Sequence, residues 1–250
     1  MFAPGSRSTA FAALSLAVCA VAALAETPMH QRKPVNLVST VDAEYRMTQQ
    51  GREIGSERFE RRAYDDNRVV FDVSSSANLM GALFSYQSSL VLSDDSYFPQ
   101  SFRSDRTIVQ AADTIRISFT VDMVSNVAVV GSDMGGRTDS RHVVAPTGVP
   151  VIELGALYSW YQIVFWTDFT SRDRQRFQWI EPQKGSVESG ELVVSQGEPI
   201  DVLGKKTPVS VLKVERERLG PATLYVDASR RIVRCEQNGT EFDLVKWSEK

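Results

Sequence analysis

The sequence predicts a mainly β protein: a long curved antiparallel sheet, a half-barrel, with one central apolar helix covering its concave face. Three observations lead there. Apolar residues recur with period two in run after run. The runs are short and several end in turn chemistry, as at Asp65-Asp66-Asn67, Ser93-Asp94-Asp95 and Gly135-Gly136. One long segment, Val151 to Phe169, breaks the period and carries no charge between Glu153 and Asp168.

The chain opens with Arg7 in a short polar start, an apolar run from Phe11 to Leu24, and Ala23-Leu24-Ala25 ahead of Glu26. This is the pattern of a secretory signal peptide cleaved after Ala25, so an exported mature protein is expected. The apolar run of about 14 residues falls short of the roughly 20 that a bilayer core requires, so no transmembrane segment is expected after cleavage. Val18 stands before Cys19 where a lipid-modified cysteine needs a small residue. Residues 26–36, with Pro28 and Pro34, read as a flexible leader, and residues 37–250 as a single half-barrel domain.

Only Arg7 is charged in residues 1–25, so the remaining chain sets 27 of its 28 basic residues against 31 acidic ones, a net charge of minus 4 with the signs mixed. No nucleic-acid partner is expected of such a surface. Cys235 is the one cysteine left after cleavage, and no intramolecular disulfide can form. It sits in Ile232-Val233-Arg234-Cys235, a strand-like run, and reads as an inert core residue.

In order, Val41, Ala43, Tyr45 and Met47 alternate with polar residues, as a strand with one buried face requires. Gln50-Gly51-Arg52 turns the chain into a second strand near Ile54 to Arg61, where Gly55 marks a bulge because the apolar phase shifts before Phe59. The same pattern returns in Val69, Phe71 and Val73; in Phe84, Tyr86, Leu90 and Leu92; in Ile115, Ile117, Phe119 and Val121; and in Val127 and Val129. Outward positions rich in Arg, Asp, Ser and Thr leave one face wet, so the other must be covered.

The cover is the segment Val151 to Phe169, entered through Pro146, Gly148 and Pro150, with Leu154, Leu157, Tyr158, Tyr161, Val164 and Phe165 at helical spacing. Trp160, Ile163 and Trp166 make its other side apolar too. Strands resume with Phe177 and Trp179, Leu192 to Val194, Val209 and Val211, Leu224 and Val226, Ile232 to Cys235, and Phe242 with Leu244. Asp227 to Arg230 closes a hairpin.

Little in the chain points to catalysis. His30 and His142 are its two histidines, too few for a histidine-dependent triad or a zinc site built on several histidines, and no Gly-x-Ser-x-Gly elbow occurs. Gly204-Lys205-Lys206-Thr207 lacks the first glycine of a phosphate loop and precedes Pro208 and a strand. Asn238-Gly239-Thr240 matches a glycosylation sequon but equally suits a hairpin turn. A hydrolase using Glu153, Asp168 or Asp173 ranks third among the readings. The chain is expected to be non-enzymatic, with no cofactor and no metal.

Tyr45 with Gly51 and Ile54-Gly55 near the start, and Leu224-Tyr225-Val226-Asp227 with Arg231-Ile232-Val233 near the end, flank the central helix. In that order they resemble uncharacterised bacterial periplasmic half-barrel families, which are similar in architecture to the Lol-type lipoprotein carriers and related lipid-binding half-barrels. The resemblance implies a periplasmic carrier or sensor of a lipid or amphipathic ligand and carries no catalytic residues. The expected ligand-lining residues are Leu157, Trp160, Tyr161, Val164, Phe165 and Trp166 from the helix, with Tyr45, Phe71, Phe84, Tyr86 and Phe119 from strands. The alternative is a cell-envelope assembly module that docks an envelope protein through the apolar helix or a sheet edge.

Overall fold

Eight hairpin-linked strands run one way from the middle of a sheet, and six run the other. The computed structural model describes residues 35–93, 96–111, 113–146, 148–216 and 220–250. The expected signal peptide, and the leader as far as Pro34, lie outside the described residues. The first meander comprises β1 (Leu37–Gln49), β2 (Arg52–Tyr64), β3 (Arg68–Leu79), β4 (Ala82–Ser93), β5 (Pro99–Gln110), β6 (Asp113–Val124), β7 (Val127–Met134) and β8 (Arg137–Val144). The second half holds β9 (Gln175–Glu181), β10 (Ser186–Gln196), a small hairpin of β11 (Ile200–Val202) and β12 (Lys205–Thr207), then β13 (Ser210–Arg216), β14 (Ala222–Val226), β15 (Ile232–Gln237) and β16 (Thr240–Glu249).

Pairing of β1 with β16 joins the halves into one antiparallel sheet of 14 strands, ordered β8 through β1, then β16, β15, β14, β13, β10 and β9. The expected half-barrel sheet is therefore present. β5 escaped the periodicity because Arg103, Asp105 and Arg106 interrupt its apolar residues. The small hairpin holds the Lys205-Lys206-Thr207 run.

Sequence chemistry sets the local geometry. In β3 buried and exposed residues alternate along most of the strand, the signature of one core face and one wet face. The bulge expected at Gly55 is there: Met47 pairs with Gly55 and Thr48 with Glu53, leaving Ile54 as the extra residue. A Cβ at Gly55 would run into the Ser76 carbonyl on β3, so only glycine lets the two strands close. Asn238 and Gly239 turn β15 into β16 with φ of 51° and 76°, as a two-residue hairpin loop demands.

The central segment is a correction to the sequence reading. In place of a helix over Val151 to Phe169 there is a 3-10 turn, Tyr158–Trp160, followed by α1, Tyr161–Trp166, of 6 residues. The physical reason lies in competing hydrogen bonds. Ile152 N–H donates to the Ile180 carbonyl at 3.0 Å and Ile180 N–H to the Pro150 carbonyl at 2.8 Å, so residues 150–152 run along β9 as a short parallel partner. Gly155 takes φ of +80°, outside any helix, and Thr167 is extended at ψ of 129°. So short a helix is stabilised by packing and not by its own cooperativity. Leu157, Tyr158, Trp160, Ile163 and Val164 are each at most 2% exposed, so the segment plugs the concave face. Among the described residues no helix is long and apolar enough to cross a membrane.

Candidate functional site

Polar rows cross the inner face and hold the plug by its backbone. The register places Glu57, Ser75, Tyr86 and Arg106 side by side on β2 to β5, and Ser88 beside Ser104 on β4 and β5. Glu57, fully buried, accepts the N–H of Leu157 at 2.9 Å and of Tyr158 at 2.8 Å, together with the Tyr86 hydroxyl. It therefore receives the open end of the 3-10 turn, where backbone N–H groups have no partner of their own. Burial pushes its carboxyl up to about 7, against the lowering effect of these three donors.

Glu153, also fully buried, accepts the Ser104 hydroxyl, the Ser88 hydroxyl at 2.9 Å, the Tyr158 hydroxyl at 2.7 Å and the Arg106 guanidinium at 2.7 Å. Arg106 lies about midway between two rings, 5.7 Å from Tyr86 and 5.8 Å from Phe119, and also donates to the Leu154 carbonyl. A third clamp is a closed ring of hydrogen bonds. Tyr45 donates to the Ile232 carbonyl at 2.7 Å and Ile232 N–H donates to Tyr161 at 3.2 Å, so the Tyr161 hydroxyl donates to Tyr45 at 2.8 Å. Burial raises both phenols well above their ordinary range, which keeps them as donors.

Two cavities flank the plug. The larger, about 1000 Å³, opens between a lip of Pro146, Gly148, Val149 and Pro150, Trp166 at the end of α1, and the β9, β10 and β13 stretch of the sheet. Val149, Pro150, Trp166 and Phe177 give it apolar walls, while Arg176, Glu191, Glu215 and Arg216 supply charge. Arg216 stands 5.3 Å over the Trp160 ring and donates from Nε to the Gly220 carbonyl. Gly190 faces Phe177 across β9 and β10, and a Cβ there would meet the Glu215 carbonyl at 2.8 Å. The smaller cavity, about 400 Å³, lies on the other flank of α1 and is walled by Phe59, Phe71, Tyr161, Phe165 and Trp247.

The expected lining residues separate into groups. Phe71, Tyr161 and Phe165 line the smaller cavity and Trp166 the larger. Tyr45, Leu157, Trp160 and Val164 are at most 1% exposed and form the packed contact between plug and sheet. Tyr86 and Phe119 sandwich Arg106, and Phe84 lines neither cavity.

Sequence reasoning missed Glu57, Arg61, Arg106, Phe177 with Gly190, and Arg216. A signal for the first two existed: once Gly55 resets the phase so that Phe59 faces inward, Glu57 and Arg61 must face inward as well.

Of the carboxylates considered for hydrolysis, Glu153 is occupied by the donors above. Asp168 is exposed, accepts from Thr170, and is held below the usual carboxylate range by those bonds; Asp173 is exposed. Among the described residues no group of three or more His, Cys, Asp or Glu is arranged to hold a metal ion. Cys235 is fully buried in β15, and burial raises its thiol well above the ordinary range.

No family model matches the chain, and no curated protein matches it. Its fold is similar to the crystal structure of a beta-barrel-like protein of a domain of unknown function, DUF1849, from Brucella abortus, with a TM-score of 0.59 at 11% identity over 84% of this chain and 98% of that one. A likeness at that identity establishes a shared barrel-like architecture.

Proposed function

We propose that this chain is a periplasmic, non-enzymatic binding or carrier protein for a lipid or other hydrophobic molecule. The observation that supports it is the cavity of about 1000 Å³ beside the plug, with Trp166, Phe177, Val149 and Pro150 in its walls and charged residues at its border. Small-molecule sites have this size and this mixture of apolar walls with a few polar groups. An acyl chain of about eight methylenes buried there would gain roughly 6 kcal/mol before ordering costs. Export is supported by Arg7, the apolar run Phe11 to Leu24 and the small residues before Glu26.

Titration with a fluorescent fatty acid tests the reading. The wild-type protein binds the probe saturably, and Phe177→Glu, which sets a charge against the cavity wall, binds it at least tenfold more weakly. Equal binding by both proteins would remove the cavity from the reading.

A second reading, an envelope assembly module, is favoured by β8. It is an edge strand, seven of whose eight residues are exposed, so it offers an incoming strand its unpaired backbone groups. Crosslinking in whole cells would recover one partner in fixed stoichiometry if β8 docks it, and random neighbours if it does not.

A further inference from the structure

We propose that the smaller cavity is a second binding site, specific for an amphipathic organic anion whose head group pairs with Arg61. This site is independent of the larger cavity and stands whether or not that cavity takes a guest. Arg61 lies in a row that crosses the inner face from Val41 on β1 through Phe71, Leu90, Phe102 and Val121 on successive strands. These five residues of the row are apolar and at most 3% exposed, so an arginine stands in a row where the core otherwise supplies hydrocarbon.

Nothing in the described residues neutralises it. Arg61 forms no ion pair, and its buried Nε has no hydrogen-bond partner. Its guanidinium reaches to 6.0 Å from the centre of the Phe165 ring, the outer limit of a cation–π contact. The other charges at this cavity are engaged elsewhere or distant. Arg231 pairs with Asp227 at 2.6 Å and covers Trp247 at 5.5 Å, and Arg230 donates to the Phe165 carbonyl at 2.7 Å. Glu249, the cavity's one carboxylate, pairs with Val41 in the sheet register, so its backbone lies two strands, about 10 Å, from that of Arg61, and the two side chains form no ion pair.

Arg61 is half-buried with its Nε sealed from water and unpartnered, which is costly, and a core row of this kind would pack better around methionine or leucine. An inward arginine is accounted for if a ligand supplies the counter-charge. A guanidinium fork matches a carboxylate in two parallel hydrogen bonds, and the rings of Phe59, Phe71, Tyr161 and Trp247 suit an apolar body behind that head group. The cavity of about 400 Å³ suits a medium-chain carboxylate.

The test uses octanoate, octanol and acetate against the full mature chain labelled with nitrogen-15. It reads the indole N–H signals of Trp247, in this cavity, and Trp166, in the larger one, each assigned by its Trp→Phe variant. Octanoate shifts the Trp247 signal saturably, octanol requires at least tenfold higher concentration, and acetate leaves it in place. Arg61→Met weakens octanoate at least tenfold and brings it level with octanol, while the ligand-free variant melts at a higher temperature than wild type. Arg61→Lys retains part of the preference. A still Trp247 signal, equal response to octanol and octanoate in the wild-type protein, or an Arg61→Met protein that is less stable or fails to fold would each overturn the proposal. Movement of Trp166 alone would leave the larger cavity as the site and reject this one; movement of Trp247 alone would do the reverse.

Discussion

Glu57 and Tyr158 lie 101 residues apart in the chain, yet the carboxylate of one receives the backbone N–H of the other at 2.8 Å, and this bond ties the plug to the first meander. The concave face is therefore not a bare apolar hollow. It is a floor of inward polar groups that accept the loose N–H and O–H donors of a short helical segment, with space left on both flanks.

The titration of Glu57 gives stability a direction with pH. Its folded carboxyl is raised from the ordinary 4.5 to about 7, chiefly by burial, so the folded state holds this proton more tightly than the unfolded one. The stabilisation is fully present below about pH 4.5 and is lost as pH rises through about 7, a change on the order of 3 kcal/mol. Urea unfolding across that range should show wild type losing stability relative to Glu57→Gln as pH rises. Parallel curves would contradict the shift.

Arg106 and Glu153 form a pair whose acid is fully buried. Arg106→Met leaves that carboxylate with hydroxyl partners but no counter-charge, and should cost about 3–5 kcal/mol. Adding Glu153→Gln should restore part of the loss, and a thermodynamic cycle of the two changes measures the coupling.

The ring of Tyr45, Tyr161 and Ile232 should respond less than additively. Tyr161→Phe strands the Ile232 N–H and should cost about 1–3 kcal/mol. Tyr45→Phe strands the Ile232 carbonyl, and the double change should cost less than the two single losses combined, because both remove the same ring.

Gly55→Ala places a methyl against the Ser76 carbonyl and should destabilise the protein by about 1–3 kcal/mol, read from the midpoint of urea unfolding. An unchanged midpoint would mean that β2 and β3 can part without penalty.

The Cys235 thiol should be silent toward iodoacetamide in the native protein and react fully in urea, since it is buried and held protonated. Rapid native labelling would show that β15 opens.

Much of the sheet was legible because its inner positions obey period two, and the Gly55 bulge was legible because the phase slips there. The plug was legible as an uncharged segment but misread as a long helix. Composition cannot reveal that Ile180 would claim the backbone of residues 150–152 or that Glu57 would take the N–H groups of Leu157 and Tyr158, since both partners come from distant strands. The flank sites were legible only in part: the phase after Gly55 turns Arg61 inward, but nothing in the sequence shows what surrounds it. Gly190 opposite Phe177, and Arg61 between Val41 and Phe71, acquire meaning only through the exact register of neighbouring hairpin strands.

Whether the larger cavity carries a guest is tested most directly by native mass spectrometry of the protein purified gently from the cells that produce it. A bound lipid-sized mass that is present on the wild-type chain and depleted on Phe177→Glu is the expected result. A bare polypeptide for both proteins would contradict the carrier reading and leave the cavity as a feature of the packing.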